Sequence, residues 1–194
     1  MPLADGPHLD LLREAIAVEG RAQRALLEGD ETSAADAFLE ASRLYRESWE
    51  LASPTAFGRL IGMLKAAVIA GDASAAAAYA RTQIPDPPES APSSYALAIA
   101  ALVEGDEGTA RAASAGMRSG SPPFLRAADA IDGLLDRDTV RYAAAIRAIV
   151  ADFEGREEYL TGVPIADTAL MFERLAVARG MACAPESPLL PAGG

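Results

Sequence analysis

The 194-residue chain has one cysteine, one histidine, one lysine and one tryptophan, and aromatic residues make up only 6% of it. Each scarcity removes a class of chemistry. Cys183 alone can close no internal disulfide and build no multi-cysteine zinc site. It follows Met181 and Ala182, with no basic neighbour closer than Arg179, and is expected as an inert, buried thiol. His8 excludes multi-histidine metal sites, and beside Pro7 at the start of the first helix it reads as an exposed or capping residue. Lys65 is the sole lysine and follows Gly62-Met63-Leu64, so a Gly-Lys-Ser/Thr phosphate loop is ruled out. No cofactor is expected.

Long apolar runs are also lacking. The longest, Tyr95 to Val103, is too short to span a bilayer, and Met1 to Gly6 carry neither a basic leader nor an apolar signal core. A cytoplasmic protein without membrane association is the corresponding expectation. Basic side chains number 17 against 28 acidic ones, a formal net charge of −11. Such a field repels nucleic-acid phosphates and favours cationic partners.

What is present points to helices. Hydrophobic residues at 51% and charged residues at 23% are those of a globular domain, with enough length for one core. Alanine is the commonest residue and the best helix former. From Ala34, the positions Ala37, Phe38, Ala41, Leu44, Tyr45 and Ser48 trace one helical face, with Asp36, Glu40, Arg43, Glu47 and Glu50 opposite. The same period returns at Phe57 to Val68, Phe124 to Leu135 and Tyr142 to Phe153, and no alternating strand pattern appears.

Between helices one turn recurs. Leu26-Leu27-Glu28-Gly29-Asp30, Val68-Ile69-Ala70-Gly71-Asp72, Leu102-Val103-Glu104-Gly105-Asp106 and the degenerate Leu134-Leu135-Asp136-Arg137-Asp138 each precede a new helix. Glycine supplies the left-handed residue that ends one helix, and aspartate can cap the next, so each marks an antiparallel hairpin. The four aspartates lie 42, 34 and 32 residues apart, near the period of about 34 of tetratricopeptide hairpins, although that family's full consensus is absent. Two proline-rich stretches, 84–92 and 119–123, read as loops. Residues 93–103, apolar nearly all round, suit a helix enclosed by neighbours.

The predicted fold is all-α: antiparallel helical hairpins stacked as a tetratricopeptide-like right-handed array of about eight to ten helices. Residues 1–194 are read as one helical-repeat domain, with a weak boundary at the proline-rich loop 85–92. A concave groove is its expected contact surface.

Candidate functional residues are few. Glu104, Asp106 and Glu107 cluster in a turn, and Asp152, Glu154, Glu157 and Glu158 border a helix end. Acid/base or metal chemistry needs carboxylates that converge in a cleft, whereas charge runs are usually solvated. These residues are therefore read as surface that complements a basic protein partner. Trp49, beside Tyr45 on its helix, reads first as core and alternatively as a binding anchor at a groove edge. Gly58 and Gly62 form a small-xxx-small pattern that lets helices approach closely.

The C-terminal run Pro164-Ile165-Ala166-Asp167-Thr168-Ala169-Leu170-Met171-Phe172-Glu173-Arg174-Leu175-Ala176-Val177-Ala178-Arg179-Gly180-Met181, followed by Ser187-Pro188-Leu189-Leu190-Pro191, describes a helix opened by proline, stopped by glycine and trailed by an extended tail. Ile165, Ala169, Phe172 and Ala176 line one face, and Leu189 and Leu190 are expected to fold back onto the core. This ending resembles the immunity protein 49 family of bacterial polymorphic-toxin systems and related all-helical, tetratricopeptide-like bacterial proteins, over roughly the last thirty residues. The resemblance implies a non-catalytic helical protein that binds and neutralises a cognate toxin, and it transfers no toxin-contacting residue. A tetratricopeptide-like adaptor in a regulatory or assembly pathway is the first alternative, and a carboxylate-based enzyme the second.

Overall fold

The repeated turn organises the structure, a computed structural model that describes residues 6–191. Met1–Asp5, on which the expectation of a missing leader rests, lie outside the described residues. Among the described residues there are nine helices and no strand: α1 (Pro7–Leu27), α2 (Glu31–Glu50), α3 (Gly58–Ala70), α4 (Ser74–Gln83), α5 (Ala91–Glu104), α6 (Glu107–Met117), α7 (Pro122–Leu135), α8 (Thr139–Glu154) and α9 (Asp167–Val177). None of these helices is long and apolar enough to cross a membrane.

Each of the four predicted corners joins the two helices of a hairpin. Gly29, Gly71 and Gly105 have φ of 85°, 86° and 76°, and Arg137 takes the same left-handed role at 53°. At every corner the aspartate N–H reaches back five residues, from Asp30 to Ala25, Asp72 to Ala67, Asp106 to Ala101 and Asp138 to Gly133, at 2.9 to 3.1 Å. This bond satisfies a carbonyl that the helix end would otherwise leave open. Asp30, Asp106 and Asp138 also cap the next helix, accepting from Ser33 N–H, Thr109 N–H and the N–H groups of Val140 and Arg141. Asp72 departs from the expectation. One residue separates it from the start of α4, so Ala73 occupies the cap position and no side chain caps that helix.

The hairpins α1/α2, α3/α4, α5/α6 and α7/α8 stack through α2 on α3, α4 on α5 and α6 on α7, and α5 also touches both α3 and α7. Two of the stretches read as loops shrink accordingly. Pro92 falls in the first turn of α5, and Pro122 and Pro123 open α7, where a missing N–H costs nothing. Ser90 and Ser93 form a reciprocal capping box that starts α5. Enclosed as predicted, α5 buries Ala98, Ile99, Ala100 and Ala101 completely.

Helix α9 breaks the linear stacking. Pro164 does not open it, because the helix begins at Asp167 and Pro164 precedes it in an irregular segment. Ala169, Phe172 and Ala176 are buried on α9, as the helical spacing predicts, and Ile165 is buried although it precedes the helix; full burial of a side chain the size of Phe172 stabilises by about 1.5 to 3 kcal/mol. This face packs on α3 and α8, with the Phe172 ring centroid 6.5 Å from that of Tyr95 on α5. The tail then returns: Ala166 N–H donates to Leu189 carbonyl at 2.9 Å, and Leu189 is buried while Leu190 packs on the core.

Candidate functional site

Two polar centres are built where α9 meets the rest of the chain. The first begins with a missing side chain. A Cβ on Gly62 would stand 2.9 Å from the Tyr45 ring, so glycine is what lets that ring lie against α3. Gly58, the other member of the pattern, has open space around it. From α2 the Tyr45 hydroxyl donates to Glu19 Oε2 on α1 at 2.6 Å. Three residues beyond Gly62, Lys65 Nζ lies 2.5 Å from Asp167 Oδ2 and 3.4 Å from Glu19 Oε1. Glu19 is fully buried and its Oε1 receives no hydrogen bond. Lys65 and Asp167 side chains are each 14% exposed.

Electrostatics make this cluster structural. Burial pulls the Lys65 ammonium toward deprotonation, but the carboxylates of Asp167 and Glu19 outweigh it and hold the lysine protonated beyond its ordinary range. Burial, then the Glu19 carboxylate, raises the Tyr45 phenol as well. A lysine held charged between two carboxylates is neither a base nor a nucleophile. It serves here to join α1, α3 and α9.

The second centre is Glu173 on α9. Its Oε1 accepts from the Tyr142 hydroxyl at 2.7 Å, and its Oε2 accepts from the backbone N–H groups of Cys183 at 2.9 Å and Ala184 at 2.6 Å. The Cys183 thiol donates to the same carboxylate at 3.4 Å. Burial and that negative neighbour push the thiol up to about 12, which keeps it protonated at neutral pH and unreactive. Ala184 is held at φ 43°. Beside this anchor the tail and α9 face the first hairpin corner across a cleft of about 710 Å³. Leu26, Leu170, Val177 and Leu190 line it, with Glu31, Arg174 and Glu186 among its polar groups. A shallower depression runs along Gly6, Pro7, Asp10, Leu11 and Glu14 at the start of α1.

The residues singled out from the sequence do not converge. Glu104 and Asp106 are both engaged by Arg81, at 3.3 and 3.0 Å, and Glu107 faces Arg137 at 3.7 Å. Asp152 is bracketed by Arg126 and Arg156 at 2.5 and 2.6 Å. Glu154 accepts from Ser187 of the tail at 2.7 Å, while Glu157 and Glu158 are exposed and have no ion-pair partner among the described residues. Trp49 is not an exposed anchor. It is 6% exposed, its ring centroid sits 5.4 Å from that of Phe57, and its indole N–H donates to Gln83 at 3.3 Å. His8 is half-buried, and its carbonyl accepts from Ser48 at 2.6 Å.

Among the described residues no group of three or more His, Cys, Asp or Glu side chains is placed to hold a metal ion. Glu19, Lys65, Asp167 and Glu173 were not singled out from the sequence. The available signal was a carboxylate at Glu19 on the stripe of Ala15, Val18, Ala22 and Leu26, and the sole lysine set in the apolar run of α3. Comparison with protein families, characterised proteins and solved structures finds no match to this chain.

Proposed function

We propose that this chain is a non-catalytic protein-binding protein with a basic partner, and that it acts as a bacterial immunity protein neutralising a cognate toxin. The observation that carries the reading is that part of its excess negative charge has no internal partner. On the turn between α5 and α6 the carboxylates are spoken for by Arg81 and Arg137. On α7, Asp132 is likewise held by Arg118 and Arg141 at 2.7 and 2.9 Å. At the end of α8 and along the tail, Glu154, Glu157, Glu158 and Glu186 have no basic partner among the described residues. Carboxylates without internal partners are available to a cationic surface, raising encounter rate and fixing orientation. The C-terminal resemblance to immunity proteins supports toxin neutralisation as the purpose of that binding.

Co-purification from the native host at low salt tests the reading. A specific basic protein is expected to be retained and to be released by salt. Reversing Glu154, Glu157 and Glu158 to lysine is expected to slow its association by about tenfold or more. Recovery of no specific partner at low salt overturns the proposal.

A further inference from the structure

We infer that the cleft between the first hairpin corner and the α9 tail is the seat for an extended segment of the partner, one that carries an apolar side chain next to a basic one. The inference rests on the protein-binding reading and names the place and the chemistry. Its floor is apolar: Leu26 and Leu170 are 5% and 6% exposed, whereas Val177, the last residue of α9, stands 64% exposed at the cleft. The volume of about 710 Å³ lies within the range of ligand pockets, about 300 to 1,000 Å³, and admits a few side chains of an extended chain.

The polar groups choose the sign of the occupant. Glu31 on α2 and Glu186 on the tail are exposed carboxylates from opposite sides of the cleft, and neither has an ion-pair partner among the described residues. Glu173 also borders the cleft, but its oxygens are taken by Tyr142, Cys183 and Ala184. Arg174 is the one cation lining it among the described residues. Glu154, joined to Ser187 of the tail at 2.7 Å, adds a further negative charge at that wall. Two lining carboxylates without ion-pair partners against one lining guanidinium, among the described residues, favour a basic segment.

The wall is fixed before anything binds. Ala184 sits in a left-handed conformation that an alanine rarely adopts, and such a residue persists only where its surroundings over-determine it. Here the Glu173 carboxylate holds its N–H and that of Cys183. Farther along, Leu189 carbonyl ties the tail to Ala166 at 2.9 Å. A cleft held open in advance spares its ligand the cost of ordering that wall.

The test is titration of the ¹⁵N-labelled full chain with three capped hexapeptides of alternating Leu and Arg, Leu and Glu, or Ser and Arg. The Leu/Arg peptide is expected to give saturable amide shifts at Val177, Ala182 and Ala184, and to bind at least fivefold more tightly than the other two. The paired substitutions Val177→Lys and Glu186→Lys alter exposed side chains, so a native circular-dichroism spectrum is expected, with at least a fivefold loss of Leu/Arg binding. Equal binding of the Leu/Glu or Ser/Arg peptide, or shifts confined to other surfaces, overturns the inference. No saturable shift with any peptide also overturns it, whereas the low-salt co-purification judges the protein-binding reading separately. A captured partner that binds the doubly substituted chain as well as the native one removes the cleft from the interface and leaves protein binding standing.

Discussion

Lys65 on α3 and Asp167 in the first turn of α9 are 102 residues apart in sequence and 2.5 Å apart in space. Because Glu19 lies 3.4 Å from the same ammonium, removing the lysine charge would leave two enclosed carboxylates facing each other. Lys65→Met is therefore expected to destabilise the chain by about 3 to 5 kcal/mol. Adding Glu19→Gln and Asp167→Asn to it is expected to recover much of the loss. Urea unfolding of the single and triple variants checks both, and a loss below about 1 kcal/mol for Lys65→Met would contradict the pairing.

Alkali should act on both polar centres. Lys65, Tyr45 and Tyr95 bind their protons more tightly when folded than their ordinary values of 10.5, 10.0 and 10.0, and Cys183 rises from 9.0 to about 12. For groups shifted upward, the stabilisation is complete below the unfolded value and is lost as pH climbs through the folded one. Unfolding free energy is expected to fall steadily from pH 9 upward, the ordinary value for the thiol. Tyr45→Phe deletes one such group, so its variant should show a shallower decline above pH 10.

The corners allow a paired test of backbone strain. Gly105 adopts φ 76° with no atom within 4 Å of the place a Cβ would take, so Gly105→Ala probes conformation without a clash. It is expected to cost about 1 to 2 kcal/mol. Arg137→Gly runs the other way and is expected to gain about 0.5 to 1 kcal/mol, since its lost partner Glu107 is an exposed contact at 3.7 Å of little energetic weight. Thermal unfolding of the two variants should move in opposite directions.

Capping separates two aspartates that look alike in the sequence. Asp138→Ala removes an acceptor of two backbone N–H groups and is expected to cost about 1 kcal/mol. Asp72→Ala removes no cap and is expected to stay within about 0.5 kcal/mol of the native chain. The bonds from Ser33 and Thr109 also hold Asp30 and Asp106 below the ordinary 3.8. Their contribution is present above that value and fades as pH falls beneath it. Denaturant titrations at neutral and acid pH measure both effects.

The architecture was legible because helices carry their own punctuation. Left-handed glycines, aspartate caps and a 3.6-residue apolar period are local features, and they place four hairpins without knowledge of contacts. The enclosed character of α5 was equally visible in residues 93–103. The exact start of α9 was not, since Pro164 has the local look of a helix opener but is followed by irregular backbone through Ala166. The polar centres were hidden for a different reason. Glu19, Lys65 and Asp167 lie on α1, α3 and α9 and meet only through tertiary packing, and nothing local to any of them announces the other two. Trp49 shows the converse limit: position on a helix stripe could not decide between core and groove edge, and Phe57 and Gln83 settle it from outside the helix.

The seating of α9 on α3 has a consequence for how this protein can change over time. In an open solenoid a unit can be duplicated or deleted, because each repeat answers only to its neighbours. Here a hairpin added between α3 and α9 would carry Asp167 away from Lys65 and Phe172 away from Tyr95, leaving charge stranded and a hydrophobic face uncovered. The stretch of the stack between α3 and α9 thereby resists insertion, and its evolution is steered toward altering the sequence of the units already there.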